Sequence, residues 1–142
     1  MDYTFEMFQR GVDHLVDQVD GDYQYIIGVT RGGLIPAVFL SHRLGIPMIS
    51  INWSTRDSGI KSIGDDTIKL LMGKKVLIVE DIVDSGKTLT EMIDSLRDVC
   101  SFHVAALIYN TSQNIVPEFY DVTIDRIEYA HWINFFWEDK ER

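Results

Sequence analysis

"VLIVEDIVDSGKTLT", residues 76 to 90, contains an apolar run that stops at two adjacent acids, followed five residues later by Gly-Lys-Thr. Gly-Lys-Thr points to a loop that holds phosphate, yet carboxylates repel phosphate. A nucleotide-binding P-loop would need glycine five places before Gly86, and that position is Asp81. The pattern therefore departs from that loop at its first residue. Glu80 and Asp81 stand where a buried strand ends, and Ser85, Gly86, Lys87 and Thr88 lead into a helix whose free backbone N–H groups can take up one phosphate. A vicinal diol offers two hydroxyl donors to paired carboxylates, so a ribose 5-phosphate lying across the turn satisfies both halves of it.

Outward from this stretch, strands and helices alternate. Phe5, Phe8, Val12, Leu15, Val16 and Val19 recur at steps of three and four, which predicts an amphipathic helix. "YIIGVT" (25 to 30) reads as a buried strand, followed by Arg31-Gly32-Gly33 and a helical stretch, "LIPAVFLSHRL", that stops at Gly45. Pro36 sits near its start, where proline is tolerated. "IPMISI" (46 to 51) and "KVLIVE" (75 to 80) are apolar enough to be buried on both faces, as strands of a parallel sheet are. The connection between them, "NWSTRDSGIKSIGDDTIKLLMGKK", is polar and glycine-punctuated, which predicts a functional lid or a short irregular excursion. Leu89, Met92, Ile93, Leu96 and Val99 mark another helix, and "HVAALIY" (103 to 109) a fourth strand. The pattern predicts an α/β fold, a parallel sheet with helices on its faces and a ligand beyond the carboxyl ends of the strands. The aromatic tail, "DVTIDRIEYAHWINFFWEDKER", does not continue it cleanly.

The chain has 142 residues, which is most simply one domain, residues 1–142, with one main core. A formal charge of −9 and a pI near 4.7 argue against a surface built for nucleic-acid backbone. Cys100 is the single cysteine, expected as a small buried hydrophobe. No uncharged run approaches a membrane span and no basic-then-apolar leader is evident, so a cytoplasmic protein without membrane contact is expected. The four histidines show no metal-ligand spacing.

"VLIVEDIVDSGKT" resembles the phosphoribosyl pyrophosphate signature of the type I phosphoribosyltransferases. "VTRGG" resembles that family's pyrophosphate loop, the long polar segment occupies the place of its flexible catalytic loop, and "HWINFFWE" is similar to the aromatic tail of small microbial xanthine-guanine and hypoxanthine phosphoribosyltransferases. The resemblance implies a Rossmann-like parallel-sheet fold with a small hood built from the C-terminal tail. It also implies transfer of a 5-phosphoribosyl group from phosphoribosyl pyrophosphate to a 6-oxopurine (guanine, xanthine or hypoxanthine), giving a nucleoside monophosphate and pyrophosphate. Mg²⁺ is the implied cofactor, with Asp81 as its protein contact. Glu80 and Asp81 would grip the ribose hydroxyls, and Ser85, Gly86, Lys87 and Thr88 the 5-phosphate. Asp84 would accept or share a proton of the purine. Thr30, Arg31, Gly32 and Gly33 would hold pyrophosphate, with Arg31 counted as catalytic and the Thr30–Arg31 peptide cis. Ser54, Thr55 and Arg56 would be lid contacts, and Asn110, Trp132 and Ile133 would meet the base, Trp132 by stacking. A homodimer or homotetramer is implied.

One position departs from the pattern. In 6-oxopurine enzymes of this kind a lysine commonly follows the fourth strand, whereas "LIYNTSQN" offers Tyr109 and Asn110. An amide lacks the charge and can also accept, which leaves preference between oxo and amino bases open. A regulator that senses nucleotides in the same pocket, and a transferase for another base such as a pyrimidine, are the alternatives. Structural readings accompany these roles: any single acid of the three can be a solvated strand end or turn former, and Thr88 with Glu91 fits a helix capping box.

Overall fold

The computed structural model describes residues 1–53 and 63–138. The elements in chain order are β1 (Asp2–Tyr3), α1 (Phe5–Gln18), β2 (Tyr25–Val29), α2 (Leu34–Leu44), β3 (Met48–Ile51), α3 (Asp65–Leu71), β4 (Lys75–Val83), α4 (Lys87–Leu96), β5 (Ser101–Asn110), β6 (Phe119–Ile124) and β7 (Asn134–Phe135). Strands β3-β2-β4-β5-β6, in that spatial order, form a sheet whose pairings are all parallel.

Side chains of a strand alternate between faces, and the two cores follow that period. Leu77 and Val79 of β4 pack with Ala105 and Leu107 of β5 against Phe8, Val12 and Leu15 of α1 and Ala37 and Leu40 of α2. Val76, Ile78, Val104 and Ala106 face the other way, onto Leu89, Met92 and Leu96 of α4 and Leu71 of α3. Cys100 lies buried in this second core. A strand apolar on both faces is thereby covered on both.

The helix ends follow local chemistry. Thr4 caps α1 by accepting from the Met7 N–H at 3.2 Å, and Gly45 closes α2 in the left-handed conformation at φ 67°. The polar connection after β3 is not wholly irregular, because α3 forms within it, with Asp65 and Asp66 in its first turn. Strand β4 runs on through Glu80 and Asp81 to Val83, three residues beyond the expected end. Thr88 and Glu91 do not form a capping box: α4 starts after Gly86 with no side-chain cap, and Glu91 instead accepts from the Trp53 indole N–H at 3.1 Å.

Three strands have no counterpart in the sequence reading. Edge strand β6 pairs with β5, and the short β1 pairs in parallel with β7. Through the second pairing the first residues strap the tail: the Met1 amino group donates to the Trp132 carbonyl at 3.1 Å, and Asn134 N–H donates back to the Met1 carbonyl at 2.9 Å. The tail beyond β6 sits as a small hood at the end of β4, where Arg126, Trp132 and Ile133 share a cavity with Asp81 and Asp84.

The turn from β2 into α2 depends on room rather than on dihedral freedom. Gly33 has an ordinary φ of −70°, yet a Cβ there would lie 2.4 Å from the Val79 carbonyl oxygen and 2.8 Å from that of Val29. Gly45 is the converse, with positive φ and nothing within 4 Å of an added Cβ. Gly33→Ala should therefore cost about 3 kcal/mol or more through backbone displacement, and Gly45→Ala about 1 kcal/mol. Urea denaturation of the two variants measures the difference, and equal losses would show that the steric reading of Gly33 is mistaken.

Candidate active site

The β2 and β4 loops meet because their strands are neighbours in register, Ile27 beside Ile78 and Gly28 beside Val79. Thr30–Arg31 is joined by a cis peptide bond. The N–H groups of Arg31 and Gly32 make no hydrogen bond among the described residues, whereas Thr30 N–H is tied to Ile51 and Gly33 N–H to Val29. Two adjacent free N–H groups beside an arginine form a site suited to an anion. Asp81 leans over this loop so closely that a Cβ on Gly32 would fall 1.9 Å from its Oδ2. Glycine at 32 is what allows the acid and the loop to share the space.

On the other side of β4's end, Gly86 adopts φ 76° and starts α4. The Lys87 N–H donates to Ser85 Oγ at 3.3 Å, while the N–H groups of Ser85, Gly86, Thr88 and Leu89 have no partner among the described residues. Ser85, Lys87 and Thr88 are exposed. This is a helix N-terminus with donors left unpaired among the described residues, favourable to an oxyanion.

Two cavities adjoin at Asp81. One, of about 580 Å³, is lined by Arg31, Gly32, Leu34, Ile35, Asp81, Trp137 and Glu138, a size suited to a small-molecule ligand. The other, of about 130 Å³, is lined by Asp81, Ile82, Asp84, Arg126, Trp132, Ile133, Phe135 and Glu138. Glu80, the other half of the acid pair, lines neither. Burial, and secondarily the Asp81 charge, pushes Glu80 well above the usual carboxylate range. Burial likewise raises Asp81 to about 6, with the Glu138 charge adding to the shift and the hydrogen bond from Ile82 N–H, 2.7 Å, opposing it.

Asp84 has a partner that the sequence did not disclose. Arg126 grips it through both carboxylate oxygens, Nε to Oδ1 at 3.1 Å and Nη2 to Oδ2 at 2.9 Å. Arg126 Nη1 donates to the carbonyls of His131 and Tyr129, so one side chain joins the phosphate-loop turn to the hood. Asn110 completes the arrangement. It is 1% exposed, and its Nδ2 donates to Asp84 Oδ1 at 3.1 Å and to the Asp84 carbonyl at 3.4 Å. Its Oδ1 accepts from Ser112 N–H, Ser112 Oγ and Arg126 N–H. Every hydrogen-bonding position of the amide is in use, so in this structure Asn110 is committed to Asp84 and the hood turn and lines neither cavity. Of the other two residues expected at the base, Trp132 is 70% exposed at the rim of the smaller cavity and Ile133 is buried beneath it. Ser54, Thr55 and Arg56 lie outside the described residues. Arg126 sits in a segment without periodic signal; its one advertisement in the sequence is a cation among the aromatics of an acidic chain's tail.

Comparison with known proteins bears on the family. Residues 5–140 match the model of the phosphoribosyl transferase domain. Over 88 residues the chain is 39% identical to orotate phosphoribosyltransferase 2 of Mesorhizobium japonicum, covering 62% of this chain and 43% of that protein; it spans less than half the length of the curated relatives it matches. A purine phosphoribosyltransferase from Pyrococcus horikoshii superposes over 100% of this chain and 95% of its own, with TM-score 0.82 and 32% identity. The xanthine-guanine-hypoxanthine phosphoribosyltransferase of Helicobacter pylori does so over 96% and 90%, with TM-score 0.73 and 27% identity. The parallel sheet, with two anion-suited loops at the carboxyl ends of β2 and β4, is the type I phosphoribosyltransferase fold, and the chain belongs to the phosphoribosyl transferase family.

Proposed function

We propose that this protein transfers the 5-phosphoribosyl group of phosphoribosyl pyrophosphate to a 6-oxopurine, releasing pyrophosphate and giving a nucleoside monophosphate. The single observation that carries the reading is Asp81 packed against the Arg31-Gly32 loop and followed in the chain by the N–H groups of Ser85, Gly86, Thr88 and Leu89, unpaired among the described residues. The 5-phosphate takes the free N–H groups at residues 85 to 89, with the Ser85 and Thr88 hydroxyls and the Lys87 ammonium near. Pyrophosphate lies against Arg31 and the N–H groups of Arg31 and Gly32. Asp81, with Glu80 beside it in the chain, meets the ribose hydroxyls.

In the reaction a ring nitrogen's electron pair forms the bond to the anomeric carbon as the bond to pyrophosphate breaks. Asp84 takes the proton that the cationic base must shed. Positive charge on the ribose and negative charge on the leaving group both grow toward the transition state, and Arg31 and the fixed N–H dipoles are aimed at the second. The donor set fits Mg²⁺ held mainly through substrate. Asp81 is a half-buried carboxylate whose ionisation burial and Glu138 oppose, a cost that a cation would offset. Among the described residues no group of three acids or histidines could cage an ion alone, so its remaining ligands would be pyrophosphate oxygens and water. Such an ion would neutralise charge on the leaving group.

The purine acceptor is favoured by the near-complete coverage of the Pyrococcus and Helicobacter structures. The pyrimidine reading is favoured by the orotate phosphoribosyltransferases among the curated relatives, which match over a shorter length. Assembly into a homodimer or homotetramer is in keeping with the exposed aromatic edge of Phe5, Phe39 and Phe136.

Incubation with phosphoribosyl pyrophosphate, Mg²⁺ and a panel of bases should yield nucleotide and pyrophosphate with guanine, xanthine or hypoxanthine, and chelation of the metal should abolish it. Turnover with orotate alone would replace the purine reading, and none with any base would replace the enzyme with a sensor. Asp84→Asn should lower kcat at least ~100-fold while changing sugar-phosphate binding little, and Asp81→Asn should impair both; small, equal effects would remove these roles.

Asp81 also makes a pH prediction. Its folded value, about 6 against an ordinary 3.8, is raised, so the folded state holds the proton more tightly. The stability it contributes is present below about 3.8, declines as pH rises through 6, and is constant above. Asn at this position keeps an acceptor for Ile82 N–H and removes the charge. Without ligand at pH 8, Asp81→Asn should therefore be more stable than the parent by roughly 1–2 kcal/mol after allowance for solvent screening. Denaturant titrations at pH 8 and pH 4 should show that gap shrinking in acid; a gap independent of pH would refute the buried-charge account.

A further inference from the structure

Counting donors and acceptors around Asp84 leaves a specific remainder. Oδ1 is full, taking Arg126 Nε and Asn110 Nδ2. Oδ2 receives Arg126 Nη2 alone among the described residues, which leaves one lone pair. On the guanidinium, Nε and Nη1 are committed to Asp84 and to the hood carbonyls, while Nη2 has spent one of its two hydrogens. A free N–H and a free acceptor therefore stand side by side on one rigid ion pair. Both side chains line the smaller cavity, whose rim carries Trp132, and both are accessible, Arg126 to 21% and Asp84 to 42%.

We propose that this ion pair reads the incoming base: Arg126 Nη2 donates to an exocyclic carbonyl while Asp84 Oδ2 accepts from the adjoining ring N–H. The inference rests on the function proposed above and narrows its acceptor. A 6-oxopurine protonated at the imidazole nitrogen beside its carbonyl presents an acceptor next to a donor, the complement of the pair. A 6-aminopurine presents two donors, one of them against a guanidinium that cannot accept. The discrimination is by an unsatisfied, partly buried donor, which is the kind that rejects strongly. Asn110 cannot supply it, because its amide is wholly engaged in holding Asp84 and the Arg126 N–H. The planar guanidinium also fixes where the donor lies relative to Asp84, so the proton acceptor and the carbonyl donor arrive as one unit.

The test compares kcat/KM for hypoxanthine, adenine and purine lacking a 6-substituent, with IMP and AMP affinity by calorimetry on the same preparations. The parent should prefer hypoxanthine to each of the others by at least ~100-fold and bind IMP more tightly than AMP. Arg126→Gln, whose amide can also accept, should narrow the hypoxanthine-to-adenine ratio tenfold or more with KM for phosphoribosyl pyrophosphate nearly unchanged. Where thermal melts show that variant unfolded, Arg126→Lys carries the measurement, keeping a cation without the fork and narrowing the ratio less. A parent that uses adenine as readily as hypoxanthine, or variants that lose all bases in parallel at constant ratio, overturns the proposal and reduces Arg126 to a brace for the hood. Should the parent turn over no purine, the function proposed above fails on that count, and the nucleotide affinities still decide here: an IMP preference erased in the variants supports the reading by Arg126, and equal affinities refute it.

Discussion

The close approach of Asp81 to Gly32 is the contact on which the rest depends. Strands β2 and β4 are locked in register by apolar faces buried on both sides, so their ends cannot slide apart. The two loops must then occupy adjoining space, and the absence of a Cβ at 32 is what makes that space sufficient. An acid is thereby held against a loop whose free N–H groups and arginine suit an anion. Neither loop alone brings the acid and the free N–H groups together; the register of the two strands does.

The same placement works against stability. Glu80 and Asp81 are acids that their surroundings prefer to protonate, and no cation of the described residues is paired with either. A fold selected for stability alone would put neutral residues at the end of a buried strand. The strain is electrostatic and local, and a ligand bringing its own cation and hydroxyl donors would relieve it. Buried acids of this kind lower stability, a cost common at sites that must bind charge.

The sheet and its helices were legible because apolar runs and three-four spacing are local signals. The phosphate-loop turn was legible because its residues are consecutive. What escaped is long-range or unpatterned. Strand β6, at the sheet edge, is mostly half-buried or exposed and lacks the apolar signature of its neighbours. Strand β1 has two residues and exists because β7 pairs with it. Glu91 looked like a capping acid, but Trp53, 38 residues earlier, recruits it. Arg126 and Asp84 are 42 residues apart, and nothing in either segment announces the other.

Asn110 couples the end of one strand to another element. A lysine after the fourth strand would present one mobile charge; here an amide sits in the strand's last place, buried, with its oxygen gathering three donors and its nitrogen fastening Asp84. The cation comes instead from the hood, on a side chain whose backbone N–H is one of those three donors. Asn110 is therefore the hinge between Arg126 and Asp84, fixing the main chain of one and the side chain of the other. A buried amide this fully satisfied is costly to disturb, because removing it strands several donors at once. The charged contact consequently inherits the rigidity of the sheet: the hood is held on through the same atoms that aim the acid, and closing the cavity and orienting its chemistry are one structural act.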